Sequence, residues 1–86
     1  MREIIVYTTP ICTYCHAAKR FLSQKGLSFR EVDLADKPEL RQKLSAEQNG
    51  YRTVPMIFIG SHFVGGYTDL VALDKSGQLM SLVNDA

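Results

Sequence analysis

Apolar side chains come in short bursts along this chain, and the spacing inside each burst tells strand from helix. Ile4-Ile5-Val6-Tyr7 is a dense, β-branched run closed by Thr8-Thr9-Pro10, which reads as a buried strand, central and parallel in its sheet. Ala17, Ala18, Phe21 and Leu22 then recur at helical spacing, with Lys19, Arg20, Gln24 and Lys25 on the opposite face. Gly26 supplies a left-handed residue to end that helix. From Phe29 to Leu34 the period drops to two, Val32 and Leu34 alternating with Glu31 and Asp33. Strand, helix and strand over residues 4–34 make a right-handed βαβ unit.

Asp36-Lys37-Pro38-Glu39 opens a second helix, with Asp36 as cap, Glu39 reaching back and Pro38 tolerated in the first turn. Leu40 and Leu44 give it a thin apolar stripe, and Asn49-Gly50 stops it. Met56-Ile57-Phe58-Ile59 and His62-Phe63-Val64 are joined by Gly60-Ser61, a hairpin with a Gly-first turn. Gly65-Gly66 breaks the second strand. Thr68 or a near neighbour caps a helix bearing Leu70, Val71 and Leu73, which ends by Gly77; Leu79, Met80, Leu82 and Val83 form a last short turn of helix. The order β-α-β-α-β-β-α predicts an α/β protein, a four-stranded mixed sheet flanked by helices on both faces: the thioredoxin-like fold.

Size and charge narrow the function classes. With 86 residues there is room for one domain, residues 1–86, burying about 60% of the surface its unfolded chain exposes. A formal net charge of +1 gives no basic field, so nucleic acid is not an expected partner. No apolar run approaches the ~18 residues of a membrane span, and Ile4-Ile5-Val6 is too short for a signal-peptide core. A cytoplasmic protein is expected, and in that reducing compartment a pair of cysteines is catalytic or metal-binding rather than structural.

Both cysteines fall in Cys12-Thr13-Tyr14-Cys15, where the first strand gives way to a helix starting near Tyr14. Cys12 then meets the positive helix end, whose unbonded N–H groups favour a thiolate. Cys15, one turn further in and shielded, is close enough to close a small disulfide, so attack comes from Cys12 and resolution from Cys15. Zinc would need about four ligands, against two cysteines and two histidines here. Cys12 to His16 also spells a c-type haem attachment, but the preceding strand and the lack of an export signal speak against it. Acidity alone does not make Cys12 effective. Full ionisation gains roughly ten- to thirtyfold over a thiol of pKa ~8.5, and a fall of ~3–4 units loses about as much nucleophilicity. The helix end helps Cys12 chiefly as a leaving group.

Three separated motifs make the chain similar to the glutaredoxin family over nearly its whole length. They are Cys12-Thr13-Tyr14-Cys15, Thr53-Val54-Pro55 before the hairpin, and Gly65-Gly66-Tyr67-Thr68-Asp69-Leu70. The resemblance implies a glutathione-dependent thiol–disulfide oxidoreductase with Cys12 as nucleophile and Cys15 as resolving thiol. It implies glutathione contacts from Tyr14, Arg52, Thr53, Val54, Pro55, Gly66, Tyr67, Thr68 and Asp69. Val54 would pair its backbone with the cysteinyl part as an added strand does, beside a cis Pro55. Backbone N–H groups of Thr68 and Asp69 would hold the γ-glutamyl carboxylate, and the Asp69 side chain the ammonium. From spacing alone, Asp69 reads equally well as an acid serving a helix N-terminus. Gly66 would let the ligand approach the backbone, Tyr14 would lie beside the mixed disulfide, and Arg52 would meet the glycyl carboxylate. His16 and His62 read as structural or surface residues.

The chain departs from the family pattern twice. Thr9 stands where many members carry a lysine, which leaves carboxylate binding to Arg52. Thr13 replaces the usual proline, and some members lacking it share a 2Fe–2S cluster between two protomers through the first cysteine and glutathione; that carrier or sensor role is the alternative function. A third reading is a redoxin fed by thioredoxin reductase, which the 65–70 loop disfavours. The expected partners are glutathione and glutathionylated or disulfide-bonded proteins, with ribonucleotide reductase a family-level candidate. The expected state is a monomer without obligatory metal.

Overall fold

The computed structural model describes residues 2–84. Along them run β1 (Ile4–Thr8), α1 (Thr13–Gln24), β2 (Arg30–Asp33), α2 (Pro38–Glu47), β3 (Met56–Ile59), β4 (His62–Gly65), α3 (Tyr67–Lys75) and α4 (Leu79–Asn84). One sheet holds the strands in the order β2-β1-β3-β4. β1 lies inside it as expected, but it is parallel only to β2 and antiparallel to β3. That reversal gathers the site. Tyr7, near the end of β1, pairs with Met56 at the start of β3, and Gly65, closing β4, stands opposite Ile57. The dithiol, the 53–55 segment and the start of α3 are therefore all delivered to one end of the sheet.

Strand alternation divides the core into two layers. Ile4 and Val6 of β1 and Ile57 and Ile59 of β3 face Ala18 and Leu22 of α1, Leu70 of α3 and Leu79 and Val83 of α4. The intervening Tyr7 and Phe58 face the other way, with Met56, toward Leu40 and Leu44 of α2. The thin stripe of α2 buries only Leu44 within the helix. The first helix ends as expected: Gly26 has φ 71°, and Leu27 N–H bonds the Leu22 carbonyl at 3.0 Å while Gly26 N–H bonds that of Ser23 at 3.0 Å. These paired bonds are the Schellman ending.

Three boundaries differ from the sequence expectation. Asp36 does not cap α2; Lys37 occupies the cap with φ −131° and no side-chain cap bond. Pro38 explains it, because a proline pushes the residue before it out of the helical region. Thr68 does not cap α3 either: the cap is Gly66, and the helix begins at Tyr67. β2 is shorter than the Phe29–Leu34 run because it is an edge strand, paired on one side only.

Candidate active site

β1 carries the chain to a loop at Thr9-Pro10-Ile11, and α1 begins one residue beyond Cys12. Cys12 is itself the N-cap of α1, with extended backbone (φ −93°, ψ 110°), and its Sγ accepts the Cys15 backbone N–H at 3.0 Å. It thus takes the place that Ser, Thr, Asp or Asn usually fills. Cys12 and Cys15 are joined in a disulfide, with Cα atoms 5.1 Å apart. Cys15 is wholly buried and Cys12 partly exposed, so only the Cys12 sulfur can be reached from outside. Ahead of it stand Ile11, 95% exposed, and beyond it Tyr14, 60% exposed. The His16 Nε2 lies 3.1 Å from the Pro10 carbonyl oxygen, which ties the loop to the helix it precedes; this is a structural role, as the sequence suggested.

The second motif lies against the sulfur. The Val54–Pro55 peptide is cis, Pro55 is buried, and the Val54 carbonyl oxygen is 3.5 Å from Cys12 Sγ. Carbonyl and N–H dipoles act on that sulfur in opposite senses. The Cys15 N–H, at the helix end, is the nearer of the two by half an ångström.

At the start of α3 the two glycines serve different ends. Gly65 has φ 117°, and a Cβ there would strike the Asp69 carboxylate. Gly66 donates its N–H to Asp69 Oδ2 at 2.9 Å, so the Asp69 side chain serves the N-terminus of its own helix. A Cβ on Gly66 would come within 2.9 Å of the Tyr51 hydroxyl. What stands over Gly66 is therefore a tyrosine, and not open space.

Between these segments runs a groove of ≈ 320 Å³ lined by Tyr14, Tyr51, Thr53, Val54, Pro55, Gly66, Tyr67 and Thr68. That volume is at the lower end of the ~300–1,000 Å³ typical of small-molecule sites. Tyr14 and Tyr67 stack across one side, with ring centroids 6.0 Å apart and planes at 25°. Arg52 and Asp69 are not among the lining residues. Arg52 is exposed over an adjoining groove with Pro38, Arg41, Gln42 and Ser45, and its carbonyl accepts from Arg41 Nη2 at 3.2 Å. Tyr51 is the lining residue that sequence reasoning missed. Its only signal was an aromatic residue two places ahead of Thr53.

A charged group supports the site from below. Thr8, buried at the end of β1, donates its hydroxyl to Glu31 Oε2 at 2.7 Å, and Lys19 Nζ lies 3.0 Å from the same oxygen. The Thr8 hydrogen bond first, and then Lys19, hold the Glu31 carboxyl below its ordinary range. The result fastens edge strand β2 to the end of β1 and to α1. Among the described residues, no group of three or more His, Cys, Asp or Glu is placed to hold a metal ion, and no helix is long and apolar enough to cross a membrane.

The glutaredoxin family model matches residues 4–64. The chain is 45% identical over 84 residues to a glutaredoxin of Pseudomonas aeruginosa, covering 98% of this chain and 99% of that protein. To glutaredoxin 3 of Escherichia coli strain K12 it is 41% identical over 83 residues, covering 96% and 99%. The solution structure of a glutaredoxin from Brucella melitensis, 48% identical, superposes with a TM-score of 0.85 over 96% of this chain and 89% of that one.

Proposed function

The chain belongs to the glutaredoxin family and is a thiol–disulfide oxidoreductase, and we propose that it draws its electrons from glutathione and acts on glutathionylated proteins and disulfides. The observation that carries this reading is the groove of Thr53, Val54, Pro55, Gly66 and Thr68, whose Val54 carbonyl oxygen lies 3.5 Å from Cys12 Sγ.

In the proposed cycle the Cys12 thiolate attacks the glutathionyl sulfur of a mixed disulfide. A Cys12–glutathione disulfide forms, the substrate sulfur leaves as a thiolate, and that thiolate takes a proton from water. A second glutathione thiolate attacks the glutathionyl sulfur, releasing Cys12 and oxidised glutathione. The leaving Cys12 sulfur is met by the Cys15 N–H, so the helix cap lowers the cost of this second step. With a protein disulfide, the Cys15 thiol loses its proton and attacks the Cys12 sulfur instead. The substrate leaves reduced and the Cys12–Cys15 disulfide remains, to be reduced by two glutathione molecules.

Binding divides along the tripeptide. The backbone of Val54 pairs with the cysteinyl unit as an added strand would. The first intrahelical bond of α3 is Leu70 N–H to the Gly66 carbonyl, so the N–H groups of Thr68 and Asp69 precede it and suit the γ-glutamyl carboxylate. Asp69 uses Oδ2 on Gly66 and offers Oδ1 to the ammonium. Arg52 takes the glycyl carboxylate in the adjoining groove. For such a dithiol the couple lies at about −200 to −230 mV, close to the glutathione pool, so the reaction runs in either direction with small changes in poise.

Turnover of a glutathione mixed disulfide coupled to glutathione reductase, run in parallel with thioredoxin reductase, tests the reading. It requires rapid turnover with the first and little with the second. The reverse preference would assign the dithiol to a different electron donor.

A further inference from the structure

Tyr51 lines the groove, yet nothing in the cycle above uses it. Its ring stands edge-on to Phe63, centroids 5.0 Å apart and planes at 82°, and Phe63 in turn packs on Phe58 at 5.0 Å. The ring is therefore fixed from behind by the same aromatic layer that covers α2's side of the sheet. Its hydroxyl projects forward to 2.9 Å from the point where a Cβ on Gly66 would stand, with Asp69 Oδ2 3.9 Å from that same point. It makes no hydrogen bond among the described residues. Tyr51 is half-buried and no buried side-chain N or O atom among the described residues lacks a partner, so this hydroxyl is open to solvent and available to a ligand in the groove at the N-cap of α3.

The charge of the lining says what that partner is. Every side chain on the groove wall is uncharged: Tyr14, Tyr51, Thr53, Val54, Pro55, Tyr67 and Thr68. Arg52 lies over the next groove, and Thr9 supplies no cation ahead of the dithiol. A carboxylate at the start of α3 must then be held by backbone N–H groups and by hydroxyls. We propose that the Tyr51 hydroxyl donates a hydrogen bond to the α-carboxylate of the γ-glutamyl unit, so that this tyrosine distinguishes γ-glutamyl thiols from thiols lacking that unit. The inference rests on the glutathione reading of the groove. It adds a selectivity contact that the three sequence motifs do not contain.

The test pairs Tyr51→Phe, which keeps the ring against Phe63, with two substrates: a small-thiol mixed disulfide of glutathione, and the same disulfide made with cysteinylglycine. A hydrogen bond to a charged group corresponds to about tenfold in binding. The expected result is a rise of about tenfold in KM for the glutathione substrate at unchanged kcat, with cysteinylglycine turnover and the melting temperature as in the wild type. An unchanged KM in Tyr51→Phe, in a wild type that prefers the glutathione substrate, overturns the role of Tyr51 and leaves the groove reading standing. A wild type that treats both substrates alike overturns the groove reading, and this inference with it. A KM that rises equally for both substrates assigns Tyr51 to general packing and also overturns the proposal.

Discussion

The Cys15 backbone N–H points at the Cys12 sulfur from 3.0 Å, while the Cys15 side chain is wholly buried. One residue therefore does two things for its partner: its backbone steadies charge on the outer sulfur, and its side chain waits underneath. In the proposed cycle only the first is needed when the incoming thiol is glutathione. Cys12→Ser should abolish all turnover, whereas Cys15→Ser should retain reduction of glutathione mixed disulfides and lose the dithiol route to protein disulfides. Steady-state assays on both variants check this. Loss of the first activity in a folded Cys15→Ser protein would contradict the division of labour.

Thr13 is the first residue of α1, and Cys12 before it has φ −93° and ψ 110°. Those angles are the ones a residue preceding proline adopts, and the first helical position needs no N–H. Thr13→Pro should therefore stabilise the protein by about 0.4–1 kcal/mol through the unfolded chain, a rise in melting temperature of roughly 2–8 °C for a domain of this size. Thermal melts of the two proteins in the same redox state decide it, and a fall would show that the turn carries strain that these angles do not reveal.

Gly65 and Gly66 should respond differently to alanine. At Gly65 the positive φ and the Asp69 carboxylate both oppose a side chain, so Gly65→Ala should cost at least about 2 kcal/mol in urea unfolding. At Gly66 the obstacle is the Tyr51 hydroxyl at 2.9 Å. Gly66→Ala should be milder and should be relieved by Tyr51→Phe in the same chain. Additive losses in that double mutant would show that the hydroxyl is not the obstacle.

Much of this geometry was legible in the sequence. The apolar runs Ile4–Tyr7 and Met56–Ile59 marked two buried strands but not which side chains enter which layer, and Gly26 and Gly60-Ser61 marked a helix end and a hairpin. Local chemistry misled where a neighbour outweighed it. Asp36 is a good cap, but Pro38 sets the cap at Lys37; Thr68 is a good cap, but the Asp69 carboxylate and Gly66 N–H settle the cap two residues earlier. Tyr51 was invisible because its anchor, Phe63, is close only after the sheet forms. Lys19 and Glu31 looked like solvated charges for the same reason, since Thr8 joins them across two elements.

Glu31 also gives the fold a pH dependence. Its hydrogen bond from Thr8 and its contact with Lys19 lower its pKa from the ordinary 4.5. The stabilisation is therefore present above that value and is lost as pH falls through the lower, folded-state value. The carboxylate is 39% exposed, so screening keeps the effect below about 1 kcal/mol. Urea unfolding of the wild type and Glu31→Gln should differ at neutral pH and converge on acidification below 4.5. A constant gap down to the acid limit would show that Glu31 acts by packing alone.

On the proposed reading, a glutathione carried on Cys12 lies along residues 53–55 and reaches the start of α3. The most direct measurement traps the mixed disulfide in Cys15→Ser and compares its backbone amide NMR shifts with those of the reduced variant. The largest changes outside the dithiol should fall at Val54, Gly66, Thr68 and Asp69, with contacts from the γ-glutamyl protons to Tyr51 and Thr68. Changes confined to the neighbours of Cys12, with the α3 amides unmoved, would mean that the tripeptide hangs in solvent and that the groove has another occupant.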